Sequence, residues 1–149
     1  MILQLERTMC PDGDHYPASE VSHRLLLIED SDDIQTVIRL GLELIAGIEV
    51  LVAKVDDDWV ALAQAKAVDL ILVDEPSNRD NILLELQRDP LTKDIPLVCI
   101  VPRDRHQDQA KARRQGASAV IAKPFDLVVL ASIISEILSH PSKSSERLK

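Results

Sequence analysis

The stretch Asp69–Asn78, DLILVDEPSN, decides how the rest of the chain is read. Leu70 to Val73 run without a polar interruption into the carboxylate of Asp74, and the chain then meets Pro76. A continuous apolar run, rather than an alternating one, is the pattern of a strand buried on both faces. Asp74 would then stand at the mouth of a buried strand, as a structural cap, a metal ligand or a nucleophile. Pro76 has no N–H to offer whatever binds there.

Outward from this strand the same pattern repeats. RLLLI (24–28) is a second continuous apolar run, and DIQTVIRLGLELIAG follows with a helical stripe of Ile34, Val37, Ile38, Leu42 and Ile45 ending near Gly47. EVLVAKV reads as a strand, and DDWVALAQAKA as a helix opened by Asp56 and Asp57. After LILVD come a short helix, NILLELQRD, stopped by Pro90, and a strand, PLVCIV. RHQDQAKARRQG gives a polar helix with Gly116 as its cap, SAVIA a fifth strand, and LVVLASIISEIL a closing amphipathic helix. Five strand–helix alternations imply a parallel sheet with helices on both faces and right-handed crossovers. In such sheets ligands bind beyond the carboxyl ends of the strands.

The flanks differ. Residues 1–22 lack hydrophobic periodicity, and CPDGDHYPASE reads as a mobile arm. Its Cys10, Asp12, Asp14 and His15 could ligate a metal, but with no second ligand set polar coil is the reading. Residues 140–149 read as a tail, which leaves 23–139 as one domain whose output would come from its own surface.

Composition agrees. A chain of 149 residues with 46% hydrophobic and 2% aromatic content has an aliphatic core large enough for one domain. The net charge of -8 argues against a nucleic-acid partner. Cys10 and Cys99 make no disulfide framework, and Cys99 reads as a small core residue. No apolar run suits a signal peptide or a membrane span, so a cytoplasmic protein without membrane contact is expected.

The residues just after the strands are Glu29 and Asp30, then Asp74, then Val101 and Pro102, then Lys123 and Pro124. Carboxylates converging on one edge repel, which raises pKa values unless a cation neutralises them. Oxygen ligands suit Mg2+, and Lys123 adds a compact positive charge able to meet a phosphoryl oxygen. A carboxylate beside Mg2+ and a lysine is a reasonable acceptor of an activated phosphoryl group. Taken singly, an Asp after a strand is more often a helix cap; together, in this order, these residues are far more specific.

LLLIEDSDD, DLILVD, DPLTKDIPLVCIV, QGASAVIAKPFD and the final helix resemble the receiver domain of two-component response regulators across about residues 23–139. The resemblance implies a flavodoxin-like (βα)5 three-layer sandwich with a five-stranded parallel sheet in the order 2-1-3-4-5. It implies Mg2+ held by Glu29, Asp30, Asp74 and the backbone carbonyl of Pro76, Asp74 as phosphoacceptor, and Lys123 as the family's lysine before a frequently cis proline. It implies a histidine kinase or phosphotransfer protein as phosphoryl donor, a downstream protein partner on helix 4, strand 5 and helix 5, and pairing of copies through that surface. The expected role is phosphorelay signalling rather than enzymatic turnover, beyond formation and loss of an aspartyl phosphate.

The chain departs from the family's pattern where the phosphoryl group would be gripped. Val101 stands where a Ser or Thr hydroxyl is usual, and Pro102 and Pro76 stand where backbone N–H donors are usual. Val120 replaces the aromatic switch residue, and Glu75 adds negative charge beside the acceptor. These positions support an alternative, a degenerate receiver that binds partners without phosphorylation. The basic run KARRQ could meet an acidic partner, though a solvated helix face is the plainer reading. A nucleotide or flavin site is disfavoured because none of the four glycines lies in a phosphate-cradling loop. A hydrolase with an aspartate nucleophile usually carries a second aspartate where Pro76 stands.

Overall fold

A computed structural model describes residues 22–75 and 82–140. Among them five parallel strands, β1 (Arg24–Ile28), β2 (Glu49–Ala53), β3 (Leu70–Asp74), β4 (Leu97–Pro102) and β5 (Ala119–Lys123), form one sheet in the order β2-β1-β3-β4-β5. Five helices alternate with them: α1 (Asp32–Ala46), α2 (Trp59–Ala65), α3 (Ile82–Arg88), α4 (His106–Arg114) and α5 (Leu127–Ser139). The expected fold and strand order are borne out.

Successive side chains of a strand point to opposite faces, and the core divides accordingly. Leu25, Leu27, Leu70, Leu72, Val98 and Ile100 pack with Ile38 and Leu42 of α1 and Leu130 and Ile134 of α5. Leu26, Ile28, Ile71, Val73, Cys99 and Val101 pack on the other face with Trp59, Leu83, Leu86 and Ala112 of α2, α3 and α4. All five residues of β3 are buried, as its unbroken apolar run requires. Burial also pushes the Cys99 thiol up to about 12, which keeps it a neutral core group.

The helix ends follow local chemistry. The Ser31 hydroxyl accepts from the Ile34 N–H and caps α1, and Gly47 closes that helix with φ 66°, a left-handed conformation that suits glycine. Asp58, rather than Asp56 or Asp57, caps α2 by accepting from the Ala61 N–H. Asp57 instead accepts from the Lys54 N–H at 2.8 Å, closing the turn before the helix. At the end of α4 the cap position is Gln115, and Gly116 follows it with φ 102°. The arm with Cys10, Asp12, Asp14 and His15, the tail from 141 onward, and Pro76 lie outside the described residues. No helix among the described residues is long and apolar enough to cross a membrane.

Candidate functional site

Parallel pairing sets the site. Register partners Ile28↔Val73 and Asp74↔Ile100 bring the ends of β1, β3 and β4 level, and Pro102↔Lys123 adds β5. Asp74, Glu29 and Lys123 therefore meet at one sheet edge.

Asp74 is the buried acid, its side chain 1% exposed. The Lys123 ammonium lies 2.9 Å from its Oδ1, an ion pair whose angles fall short of a hydrogen bond. Among the described residues neither Asp74 oxygen accepts a hydrogen bond, an unusual state for a buried carboxylate. The Lys123 Nζ donates instead to Glu75 Oε2, at 2.7 Å. Burial alone would lower the Lys123 pKa, but Glu75 and Asp74 outweigh it and hold it above its ordinary value.

Glu29 shares the crowding expected of converging carboxylates. Its pKa is pushed up to about 7, by burial first and then by the neighbouring Asp74 carboxylate. One Glu29 oxygen accepts from the Ser31 N–H at 2.8 Å, and Gln35 Nε2 donates to the Glu29 carbonyl, which fixes the β1–α1 turn. Asp30 is placed differently. It is exposed, and its Oδ1 accepts from the Val55 N–H at 2.8 Å, tying the end of β1 to the loop after β2.

Among the described residues no three His, Cys, Asp or Glu side chains are disposed to hold one metal ion, because Asp30 turns to Val55. The donor set nonetheless fits one chemically. Asp74 has two buried oxygens without hydrogen bonds and Glu29 is forced toward its neutral form, so a cation of oxygen preference would relieve both. Rotation of Asp30 off the Val55 N–H would complete an acidic triad.

The altered switch positions take definite places. Val101 is 1% exposed within the β4 core, and Pro102 closes that strand opposite Lys123. Val120 is half-buried on β5 opposite Cys99. The Lys123-Pro124 peptide bond is cis. The Glu75 N–H donates to the Ile100 carbonyl at 2.7 Å and is spent on the sheet. The grip of Glu75 on Lys123 was not read from the sequence; the only signal was an acid next to the acceptor.

The chain is 30% identical to Protein PilH of Pseudomonas aeruginosa over 119 residues, covering 78% of this chain and 98% of that protein. The chain belongs to the response regulator receiver family. The phosphate regulon transcriptional regulatory protein PhoB of P. aeruginosa is 28% identical over 121 residues, covering 79% of this chain and 52% of PhoB. The chain thus spans about half the length of that relative. Its fold matches the crystal structure of a CheY-like response regulator receiver domain protein from Methanospirillum hungatei with a TM-score of 0.70 at 22% identity, covering 82% of this chain and 98% of that one. No protein-family model matches the chain. Receivers are modules of two-component signalling rather than catalysts, and that is the class of this chain.

Proposed function

We propose that this receiver accepts a phosphoryl group on Asp74, with Mg2+ bound by Glu29, Asp30 and Asp74, and that its switch is atypical. The observation that carries the reading is the Asp74 carboxylate, buried, without hydrogen bonds among the described residues, and 2.9 Å from the Lys123 ammonium. In the transfer an Asp74 oxygen forms a bond to phosphorus while the bond from phosphorus to the donor's histidine nitrogen breaks, and the imidazole leaves. Mg2+ when bound would neutralise charge on the phosphoryl oxygens. Lys123 supplies a second positive charge, and the walls of β1, β3 and β4 keep the acceptor dry. The backbone carbonyl of Pro76, which lies outside the described residues, would be a further oxygen ligand by the family resemblance. The donor is a histidine kinase or a phosphotransfer protein, and output runs through α4, β5 and α5, where copies of the chain would also pair.

Incubation of the full chain with Mg2+ and acetyl phosphate tests this. A mass increase that maps to Asp74 and is lost in Asp74→Asn is expected; an unchanged mass at saturating reagent would falsify the reading.

A second reading, a receiver that binds its partner without phosphorylation, is favoured by the missing donors. Val101 brings no hydroxyl, Pro102 no N–H, and the Glu75 N–H is held by Ile100. Each absent charged hydrogen bond removes roughly 1.5–3 kcal/mol from a phosphorylated state. Partner binding that depends on Asp74 only under phosphorylating conditions would decide against this second reading.

A further inference from the structure

Glu75 follows the acceptor directly and adopts φ 53°, a left-handed backbone conformation that side-chain-bearing residues seldom take. Its N–H donates to the Ile100 carbonyl at 2.7 Å, so the sheet itself holds that turn. From this residue the Glu75 carboxylate comes to rest 2.7 Å from Lys123 Nζ. The same ammonium stands 2.9 Å from Asp74 Oδ1. Lys123 therefore faces the acceptor and a second carboxylate from the next residue. The well-formed hydrogen bond goes to the second.

A phosphoryl group on Asp74 would present its oxygens to this ammonium, since no other cationic side chain is paired with Asp74 among the described residues. Glu75 already presents an anionic oxygen there. Being attached to the same strand end, it competes as an intramolecular ligand at high effective concentration. Strained backbone of this kind persists where surrounding structure enforces it and clusters at switch regions.

We propose that Glu75 is a built-in competitor for the phosphoryl group: its tethered carboxylate occupies Lys123 and has to be displaced before a phosphoryl oxygen takes that contact. The inference rests on Asp74 as acceptor. Its consequence is a receiver whose lysine is engaged by an anion before any phosphorylation, and whose modified state is correspondingly harder to reach.

The test uses the full chain with Mg2+ and beryllofluoride, read by fluorine resonance, in the wild type, Glu75→Asn and Glu75→Gln. Asparagine tolerates the left-handed conformation and is too short to reach Lys123, so the fold survives the change. Beryllofluoride should bind Glu75→Asn about tenfold more tightly than the wild type, the scale of one charge-assisted hydrogen bond, with Glu75→Gln between them. A second measurement needs no metal: acylation of Lys123 by a small activated ester, in which Nζ attacks the acyl carbon and the alcohol component leaves, should be faster in Glu75→Asn when read by mass spectrometry. Equal beryllofluoride affinity in wild type and variants, or an unchanged Lys123 reactivity, overturns the competitor role and leaves the acceptor reading standing. Beryllofluoride binding to none of the three proteins overturns both.

Discussion

Lys123 Nζ stands 2.9 Å from Asp74 Oδ1, yet among the described residues the Asp74 carboxylate accepts no hydrogen bond. A buried charge satisfied only by a shared lysine, with Glu29 crowding it, costs stability rather than supplying it. Asp74→Asn removes that charge, while Lys123 keeps Glu75. Because Lys123 keeps Glu75 as a partner and no uncompensated charge is left behind, the variant should be more stable than the wild type by roughly 1–2 kcal/mol at pH 8 without Mg2+. The urea midpoint checks this, and a midpoint below that of the wild type would mean the ion pair is a net stabiliser.

Glu29 makes stability depend on pH in a defined window. Its carboxyl has an ordinary value of 4.5 and is pushed up to about 7 in the fold. Between these values the folded state keeps a proton that the unfolded state has released, so this group's contribution falls as pH rises through the window and is flat above it. Glu29 is partly exposed, and solvent screening reduces the effect to about 1–2 kcal/mol. Glu29→Gln, measured against the wild type by urea unfolding from pH 4 to pH 8, should gain relative stability as pH rises. Parallel pH curves would show that the Glu29 carboxyl keeps its ordinary value in the fold.

Much of this site was legible in the sequence, for stated reasons. The unbroken run Leu70 to Val73 can be little else than a strand buried on both faces, and it delivers Asp74 to the sheet edge. Periodicity does not reveal which way a loop carboxylate turns. Asp30 is drawn away by the Val55 N–H in the loop after β2, and Glu75, whose N–H bonds to Ile100 of β4, reaches Lys123 of β5; both depend on segments distant in sequence. The start of α2 was misplaced because three consecutive aspartates offer equivalent caps, and the turn at Lys54 takes Asp57 before the helix can.

Val101→Thr restores the hydroxyl that the end of β4 lacks. Val101 is 1% exposed and packed against an aliphatic layer, so the new hydroxyl has no ready partner in the resting protein. Stability should fall by about 1–2 kcal/mol, the cost of burying an unpaired hydroxyl. Beryllofluoride affinity in Mg2+ should rise roughly tenfold, because the hydroxyl then donates to a charged ligand. The two effects have opposite signs, which thermal melts and fluorine titrations read separately. A variant that loses stability without gaining affinity would place the hydroxyl outside reach of the bound anion.

Gly47 gives a prediction independent of the pocket. It ends α1 with φ 66°, its N–H donates to the Glu43 carbonyl at 3.1 Å, and the Ile48 N–H donates to the Leu42 carbonyl at 3.4 Å. A Cβ built on Gly47 meets nothing within 4 Å, so the cost of Gly47→Ala is backbone strain alone, about 1 kcal/mol. Gly47→Asn should cost less, because asparagine tolerates the left-handed region. Gly116 has φ 102°, and there a Cβ would also come within 2.9 Å of the Gln87 side chain, so Gly116→Ala should cost more than Gly47→Ala. Urea midpoints should rank the proteins as wild type, Gly47→Asn, Gly47→Ala and Gly116→Ala in falling order. A Gly47→Ala midpoint equal to the wild type would show that α1 does not end in the left-handed cap.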